Sequence, residues 1–65
     1  MIEVNGREVE YKENETVSEL LYRMKYTFPN IVVKINGKLV KKDDFKNTIV
    51  PDNSEIEAIH MISGG

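Results

Sequence analysis

Hydrophobic and polar residues alternate on either side of an Asn-Gly pair near the start of the chain. The apolar positions are Ile2, Val4, Val9 and Tyr11. Asn5-Gly6, which lies between them, favours a type I′ turn, because both central residues of that turn need positive φ angles. Such a pair between alternating runs is the strongest short-range signal for a hairpin. The pattern predicts strands over about 1–4 and 7–11, with Ile2 opposite Val9 on one face.

The spacing of the apolar residues then changes from two to between three and four. The apolar residues with this wider spacing are Val17, Leu20, Leu21 and Met24. This spacing places them on one face of an amphipathic helix. Thr16 and Glu19 match the capping box, in which each side chain bonds the backbone N–H of the other residue. The pattern predicts a helix over about 17–26, which ends before Pro29.

A second hairpin is predicted around the second Asn-Gly pair, Asn36-Gly37. The β-branched run 31–35 precedes this pair, and 38–40 follows it. A two-residue turn places Lys34 opposite Leu39. The alternation assigns the core face to Ile31, Val33, Ile35 and Val40, and the opposite face to Val32 and Leu39.

The polar stretch 41–54 is too long to close a third tight hairpin. Phe45 predicts a short helical turn anchored in the core, and Pro51 opens a turn. The last predicted strand is 55–61, with Ile56 facing inward, and it can lie beside the first strand at the centre of the sheet. The expected fold class is α+β. It is a β-grasp fold, with a mixed sheet of about five strands and one main helix across one face.

Composition limits what such a fold can do. A chain of 65 residues forms one domain with a small core. The expected core residues are Leu20, Leu21, Met24, Val33, Ile35 and Ile56. The sequence contains no cysteine, which excludes disulfides, thiolate metal sites and thiol nucleophiles. Its formal net charge of -2 argues against non-specific binding of nucleic acid.

The location of the protein is predicted from what its sequence lacks. The N-terminal residues show no basic and apolar regions of a signal peptide. The longest apolar run is far shorter than a membrane span. We therefore expect a cytoplasmic protein that is monomeric when free and that binds neither membranes nor nucleic acid.

The side chains show no recognisable catalytic constellation. His60 is the single histidine, and we expect it at the surface. Asp43 and Asp44 are flanked by lysines and are expected to be solvated. No glycine-rich loop precedes a helix, so the pattern predicts no phosphate site. We expect no metal, no cofactor and no enzymatic activity of the chain's own.

The C-terminal residues Ser63, Gly64 and Gly65 are the remaining chemical feature. Glycine has no Cβ, so a Gly-Gly end can enter a narrow channel and present an unhindered carbonyl. Three extended residues reach roughly 10 Å. The carboxylate of Gly65 becomes an electrophile only after another enzyme activates it with ATP, for example as an acyl-adenylate. We expect a β-grasp domain over 1–61 and a flexible tail over 62–65.

The whole chain resembles the small β-grasp sulfur carriers, particularly those of the ThiS type. The segments that carry the resemblance are Ile2-Glu3-Val4-Asn5-Gly6, 15–21, 33–40, Ile56-Glu57-Ala58-Ile59 and Ser63-Gly64-Gly65. Their order, spacing and combined length are more specific than any one of them. Two positions depart from the family pattern. The turn at 52–54 carries Asn53 where glycine is frequent, although Asn also accepts positive φ, and Ser63 stands where glycine or alanine is frequent.

The resemblance implies a two-stage carrier that is a co-substrate and not a catalyst. An adenylating enzyme similar to the ubiquitin-activating class would convert Gly65 to an acyl-adenylate. A persulfide sulfur would then displace AMP, leave a thiocarboxylate, and pass to thiazole synthase in thiamine biosynthesis. Three alternatives stay open: the small subunit of molybdopterin synthase, a ubiquitin-like modifier joined to lysines through Gly65, and an interaction or RNA-binding domain that uses the lysines between Lys34 and Lys46.

A carrier must also hold its partner through its folded domain, because a short tail supplies little affinity. Strand alternation directs four apolar side chains toward the sheet face that a single helix cannot cover. The expected docking residues are Val32, Leu39, Ile59 and Met61, with Ile62 beside them at the start of the tail. Contiguous apolar patches of this kind often mark protein interfaces. Lys34 and the acidic residues of the first, second and last strands would orient the encounter.

Overall fold

The computed structural model describes residues 1–26 and 30–60. The elements follow one another as β1 (Ile2–Val4), β2 (Arg7–Val9), α1 (Val17–Arg23), β3 (Ile31–Ile35), β4 (Lys38–Val40), a 3₁₀ helix (Lys42–Asp44) and β5 (Glu55–His60). Within the described ranges, no helix has the length and hydrophobicity to cross a membrane. Pro29, Met61 and the predicted tail at 62–65 lie outside the described residues.

Both predicted hairpins form around their Asn-Gly pairs. The φ angles are 52° and 82° in Asn5-Gly6 and 50° and 83° in Asn36-Gly37, which are the positive values of a type I′ turn. Strand β2 ends at Val9, two residues earlier than the alternation predicts. The predicted registers are confirmed, since the paired residues include Ile2 with Val9, Glu3 with Glu8, Val33 with Val40 and Lys34 with Leu39.

Strand β5 lies at the centre of a five-stranded sheet with the order β2-β1-β5-β3-β4. It runs parallel to β1, where Glu3 is in register with Glu55. It runs antiparallel to β3, where Val33 is in register with Ala58. The predicted α+β class and the β-grasp arrangement are therefore confirmed.

Helix α1 packs across one face of this sheet and forms the core with it. The buried apolar residues are Ile2, Val4, Val17, Leu20, Leu21, Val33, Phe45, Val50 and Ile56. The predicted burial of Leu20, Leu21, Val33 and Ile56 is confirmed. Met24 and Ile35 pack against the core but are only partly buried. Met24 caps the helix C-terminus and Ile35 precedes a turn, so both lie at the rim of the core.

Helix α1 begins at the predicted capping box. The Thr16 Oγ1 accepts from the backbone N–H of Glu19 at 3.2 Å, and the Glu19 Oε1 accepts from the N–H of Thr16 at 2.9 Å. The next N–H, from Val17, donates to the carbonyl of Thr48 at 2.9 Å. The first turn of the helix is thus capped both by its own side chains and by the loop that follows the 3₁₀ helix.

The helix ends at Arg23, so the prediction of a helix that continues to residue 26 is wrong. The Lys25 N–H donates to the Tyr22 carbonyl at 3.0 Å, and the Tyr26 N–H donates to the Leu21 carbonyl at 2.8 Å. This pair of bonds is a Schellman motif, which closes a helix through a residue with positive φ. Lys25 is that residue, with φ of 63°.

We expect Lys25→Gly to stabilise the protein. A side chain in the left-handed region costs roughly 1 kcal/mol, and glycine carries no such cost. The free energy of unfolding in urea should therefore rise by about that amount. Lys25→Ala is the matched control, because it removes the same side chain and keeps the Cβ. An equal gain in both variants would attribute the effect to the lysine side chain and not to the backbone.

A partly buried ion pair ties the loop before α1 to the end of the same helix. The Arg23 Nε donates to Glu15 Oε2 at 2.9 Å, and an Arg23 terminal nitrogen donates to Glu15 Oε1 at 2.8 Å. The same nitrogen donates to the Glu10 carbonyl at 2.9 Å. The hydrogen bond to Glu15 is the main cause that raises the pKa of Arg23 above its ordinary value. Glu15 is buried, and its charge is compensated by this two-point contact.

The turn before β5 has the positive φ that its sequence suggests, 57° at Asn53. Asp52 in the same turn accepts a hydrogen bond from the amino group of Met1 at 2.9 Å. This contact is the largest cause that lowers the pKa of Asp52. The turn therefore holds the start of β1 next to the start of β5.

Candidate functional site

The sheet face opposite α1 carries an apolar patch at one end, formed by Val32, Leu39 and Ile59 and called the outer patch below. Val32 and Ile59 are direct partners across β3 and β5. Leu39 is opposite Lys34, the next residue of β3 on the same face. Leu39 is 62% exposed, Ile59 is 43% exposed and Val32 is half-buried. The structure thus brings together three of the predicted docking residues.

The two other predicted docking residues, Met61 and Ile62, lie outside the described residues, as do Ser63, Gly64 and Gly65. What the structure describes is the strand that leads to them. Its last residue is His60, which is exposed as predicted.

The rest of this face is acidic. It carries four exposed glutamates, Glu3, Glu8, Glu55 and Glu57. These four residues are called the acidic rows below. Three of them form one row across three strands, since Glu3 is in register with both Glu8 and Glu55. Like charges in direct opposition are destabilising unless solvent screens them, and the exposure of these side chains provides that screening. Glu57 is opposite Lys34, at the border between the acidic rows and the outer patch.

The outer patch is open because the helix covers the other face. Along β3, Val33 is fully buried under α1, whereas its neighbours Val32 and Lys34 point away from the helix. Along β5, Ile56 is buried and Glu57 is exposed. A partner that binds the outer face would therefore meet an apolar area bordered by negative charge, which suits a partner with apolar and basic residues side by side.

Side chains outside this face offer little chemistry. Over residues 1–26 and 30–60, no group of three or more His, Cys, Asp or Glu side chains is arranged to hold a metal ion. Asp43 and Asp44, which the sequence places in a solvated loop, are exposed in the 3₁₀ helix.

Two side chains of the site region were not anticipated from the sequence, the amides of the turn residues Asn5 and Asn36. The Asn5 Oδ1 accepts from the Ala58 N–H at 2.9 Å, and the Asn5 Nδ2 donates to the Ala58 carbonyl at 3.1 Å. The Asn36 Oδ1 accepts from the Glu55 N–H at 2.9 Å. Sequence reasoning explains these asparagines by their φ angles alone, and no local pattern indicates that both amides bind β5.

Comparison with known proteins gives consistent matches over the full length. Residues 1–65 match the ThiS family. The chain is 26% identical over 66 residues to the sulfur carrier protein ThiS of Bacillus subtilis (strain 168), with 100% of both chains covered.

Solved structures of one thiamine biosynthesis protein (ThiS), from Geobacter metallireducens, are also similar. Its crystal structure superposes with a TM-score of 0.81 at 30% identity and covers 98% of this chain and 97% of that one. Its NMR solution structure gives a TM-score of 0.74 at 30% identity and covers 98% and 86%.

Proposed function

The chain belongs to the ThiS family, and on that premise we propose that it is a sulfur carrier of thiamine biosynthesis whose carrying group is the carboxylate of Gly65. The observation that supports this most directly is the full-length match to a family of sulfur carrier proteins by a chain without cysteine. A protein with no thiol cannot hold transferable sulfur as a side-chain persulfide. A C-terminal thiocarboxylate needs no cysteine in the carrier.

The proposed chemistry has three steps, and partner proteins or ATP supply every reacting group except the carboxylate. The Gly65 carboxylate attacks the α-phosphorus of ATP, pyrophosphate leaves, and an acyl-adenylate forms. The outer sulfur of a persulfide then attacks the acyl carbon, and AMP leaves. A second thiol then attacks the donor's sulfur in the resulting acyl disulfide, a disulfide forms between the two thiols, and the thiocarboxylate leaves. The carrier supplies the carboxylate and a surface for recognition, and we propose that it supplies no catalytic group.

We assign the recognition to the outer patch. Ile59 is six residues before Gly65, a distance of about 20 Å if the chain between them is extended. A partner that binds Ile59 therefore determines how far the Gly65 carboxylate can extend into the active site of that partner. The partners proposed are an adenylating enzyme of the ubiquitin-activating class and a thiazole synthase that accepts the sulfur.

The experiment that tests this function follows the intact chain by mass spectrometry. The chain is incubated with ATP, an adenylating enzyme and a persulfide donor. We expect the mass to rise by the difference between one sulfur and one oxygen, with the change located on Gly65. Conjugates to lysines of other proteins would favour the modifier alternative. Assembly of the charged chain with the large subunit of molybdopterin synthase, and not with thiazole synthase, would assign the carrier to the other pathway. An unchanged mass would contradict the proposal.

We expect Ile59→Asp and Leu39→Asp to weaken docking to the adenylating enzyme. Each substitution places a carboxylate in a contact that should become dry, where it has no partner. Truncation of a central interface residue costs more than about 1 kcal/mol, so a rise in KM of roughly tenfold is expected. The measurement is carrier-dependent exchange between pyrophosphate and ATP.

Tyr22→Asp is the matched control for the docking test. Tyr22 is 80% exposed and lies on α1, away from the outer patch. It should leave KM unchanged, and thermal unfolding should show that all three variants are folded. If Tyr22→Asp raised KM and the outer-patch variants did not, docking would have to occur through the helix side of the molecule.

A further inference from the structure

The side chain of Asn5 extends the pairing between β1 and β5 beyond the end of β1. On this side of β5, the N–H of Glu3 donates to the Ser54 carbonyl at 3.0 Å. The N–H of Asn5 donates to the Ile56 carbonyl at 2.9 Å. The next residue of β5 whose backbone N–H and carbonyl face β1 is Ala58. At that level β1 has ended in its turn, so no β1 backbone group is opposite Ala58. The Asn5 amide takes the place of that backbone, since it binds both the N–H and the carbonyl of Ala58.

Few residues can perform this task at position 5. The site needs positive φ, which asparagine, aspartate and glycine tolerate best. It also needs one acceptor and one donor at the end of a short side chain. Glycine offers neither group. Aspartate offers the acceptor, but its second oxygen would face the Ala58 carbonyl without a proton to donate.

Ala58 occupies a sensitive place in the chain. It directly precedes Ile59 of the outer patch and lies seven residues before Gly65. Asn36 provides a natural comparison, because it makes a similar contact at the opposite end of the same strand, to Glu55. Both asparagines are the first central residue of a type I′ turn, and the side chains of both bind β5.

We infer that Asn5 is a positioning residue for the carrier reaction. Its amide holds β5 at Ala58 on the side of β1, two residues before the strand ends at His60, and thereby orients the part of the strand that leads toward Gly65. This inference rests on the proposed function for its kinetic consequence, whereas its structural part stands on the two hydrogen bonds to Ala58.

The structural part is tested by amide hydrogen exchange in Asn5→Gly and Asn36→Gly. A Gly-Gly pair retains the type I′ turn, so each variant removes one amide and keeps its hairpin. Asn5→Gly should speed exchange of the Ala58 N–H by roughly tenfold, the effect of losing one hydrogen bond, and leave the Glu55 N–H protected. Asn36→Gly should show the reverse pattern. Unchanged protection of Ala58 in Asn5→Gly would overturn the inference.

The kinetic part uses the same two variants in pyrophosphate exchange with the adenylating enzyme. Loosening β5 at Ala58, seven residues before Gly65, should lower kcat by roughly tenfold, because a small misplacement of a reacting group is costly. KM should change little, since the outer patch is retained. Asn36→Gly should leave both constants unchanged. Equal losses of kcat in the two variants would reduce Asn5 to a structural role and overturn its assignment as a positioning residue.

Failure of the proposed function would look different. In that case the unaltered chain would not be adenylated at all, and the assignment of Asn5 to the carrier reaction would fall with it. Exchange at Ala58 would still decide whether the Asn5 amide orders β5 at that residue.

Discussion

Removal of Gly65 alone is expected to abolish adenylation while the folded domain stays intact. The reacting carboxylate would move to Gly64, which shortens the maximum reach of the chain beyond the outer patch by about 3.5 Å, and a partner bound to the outer patch could no longer bring the carboxylate to the α-phosphate of ATP. The measurement is pyrophosphate exchange that depends on the carrier. Backbone NMR spectra of the described residues should be the same with and without Gly65.

Ser63→Gly is the matched control for this deletion. It changes the composition of the tail but keeps its length and its Gly64-Gly65 end. Full adenylation is expected, because glycine at that position keeps the length of the tail and adds no side chain that could obstruct it. Exchange activity that survives the loss of Gly65 would show that the activated group lies elsewhere, and the sulfur carrier mechanism proposed here would be wrong.

Leu20→Ala is expected to have the largest effect on stability. Leu20 is fully buried between α1 and the sheet, so its truncation removes apolar contacts and leaves a cavity. Such changes cost about 2–5 kcal/mol. A domain of 65 residues has a free energy of unfolding of about 3–10 kcal/mol. The substitution therefore leaves a large fraction of molecules unfolded if the starting stability is at the lower end of that range.

Urea denaturation followed by circular dichroism measures this loss. Tyr22→Ala is the control on the same helix, and its change should stay within about 0.5 kcal/mol because Tyr22 is exposed. A mild effect of Leu20→Ala, comparable to that of the control, would show that the core tolerates a cavity below α1 far better than its burial indicates.

The sheet could be predicted in detail because its information is local. Each Asn-Gly pair specifies a turn of two residues, and a turn of fixed length determines which residues face each other. The registers of β1 with β2 and of β3 with β4 follow directly. The central place of β5 follows from exclusion, since the stretch 41–54 is too long for another hairpin. The outer patch then follows from strand alternation.

The C-terminal end of α1 could not be predicted in the same way. A helix that stops in a Schellman motif usually shows glycine, whereas this chain has Lys25 with positive φ. The apolar spacing continues to Met24, and Tyr26 still packs against the core, so the pattern extends past the last helical bond. Here the packing of Tyr26 against the core outweighs the preference of Lys25 for a negative φ angle.

Contacts that side chains make with residues far away in the sequence could not be predicted either. Glu15 looks like any acidic residue near a helix N-terminus, and nothing in the sequence indicates that Arg23 reaches back to it. The Asn5 amide binds Ala58, a residue 53 positions away. Such contacts depend on the assembled sheet, and they include the features of the candidate site that add most to its sequence-based description.

The central position of β5 affects how the protein folds during its synthesis. The ribosome makes both hairpins and the helix before it makes β5, which joins β1 to β3. Until that strand emerges, no strand joins the two hairpins, and the apolar face of α1 has only part of a sheet to pack against. Pairing Glu3 with Glu55 closes a long loop, so assembly waits for the last strand. We therefore expect a nascent chain to fold only after β5 has been synthesised, and a chain interrupted before Glu55 to stay unfolded.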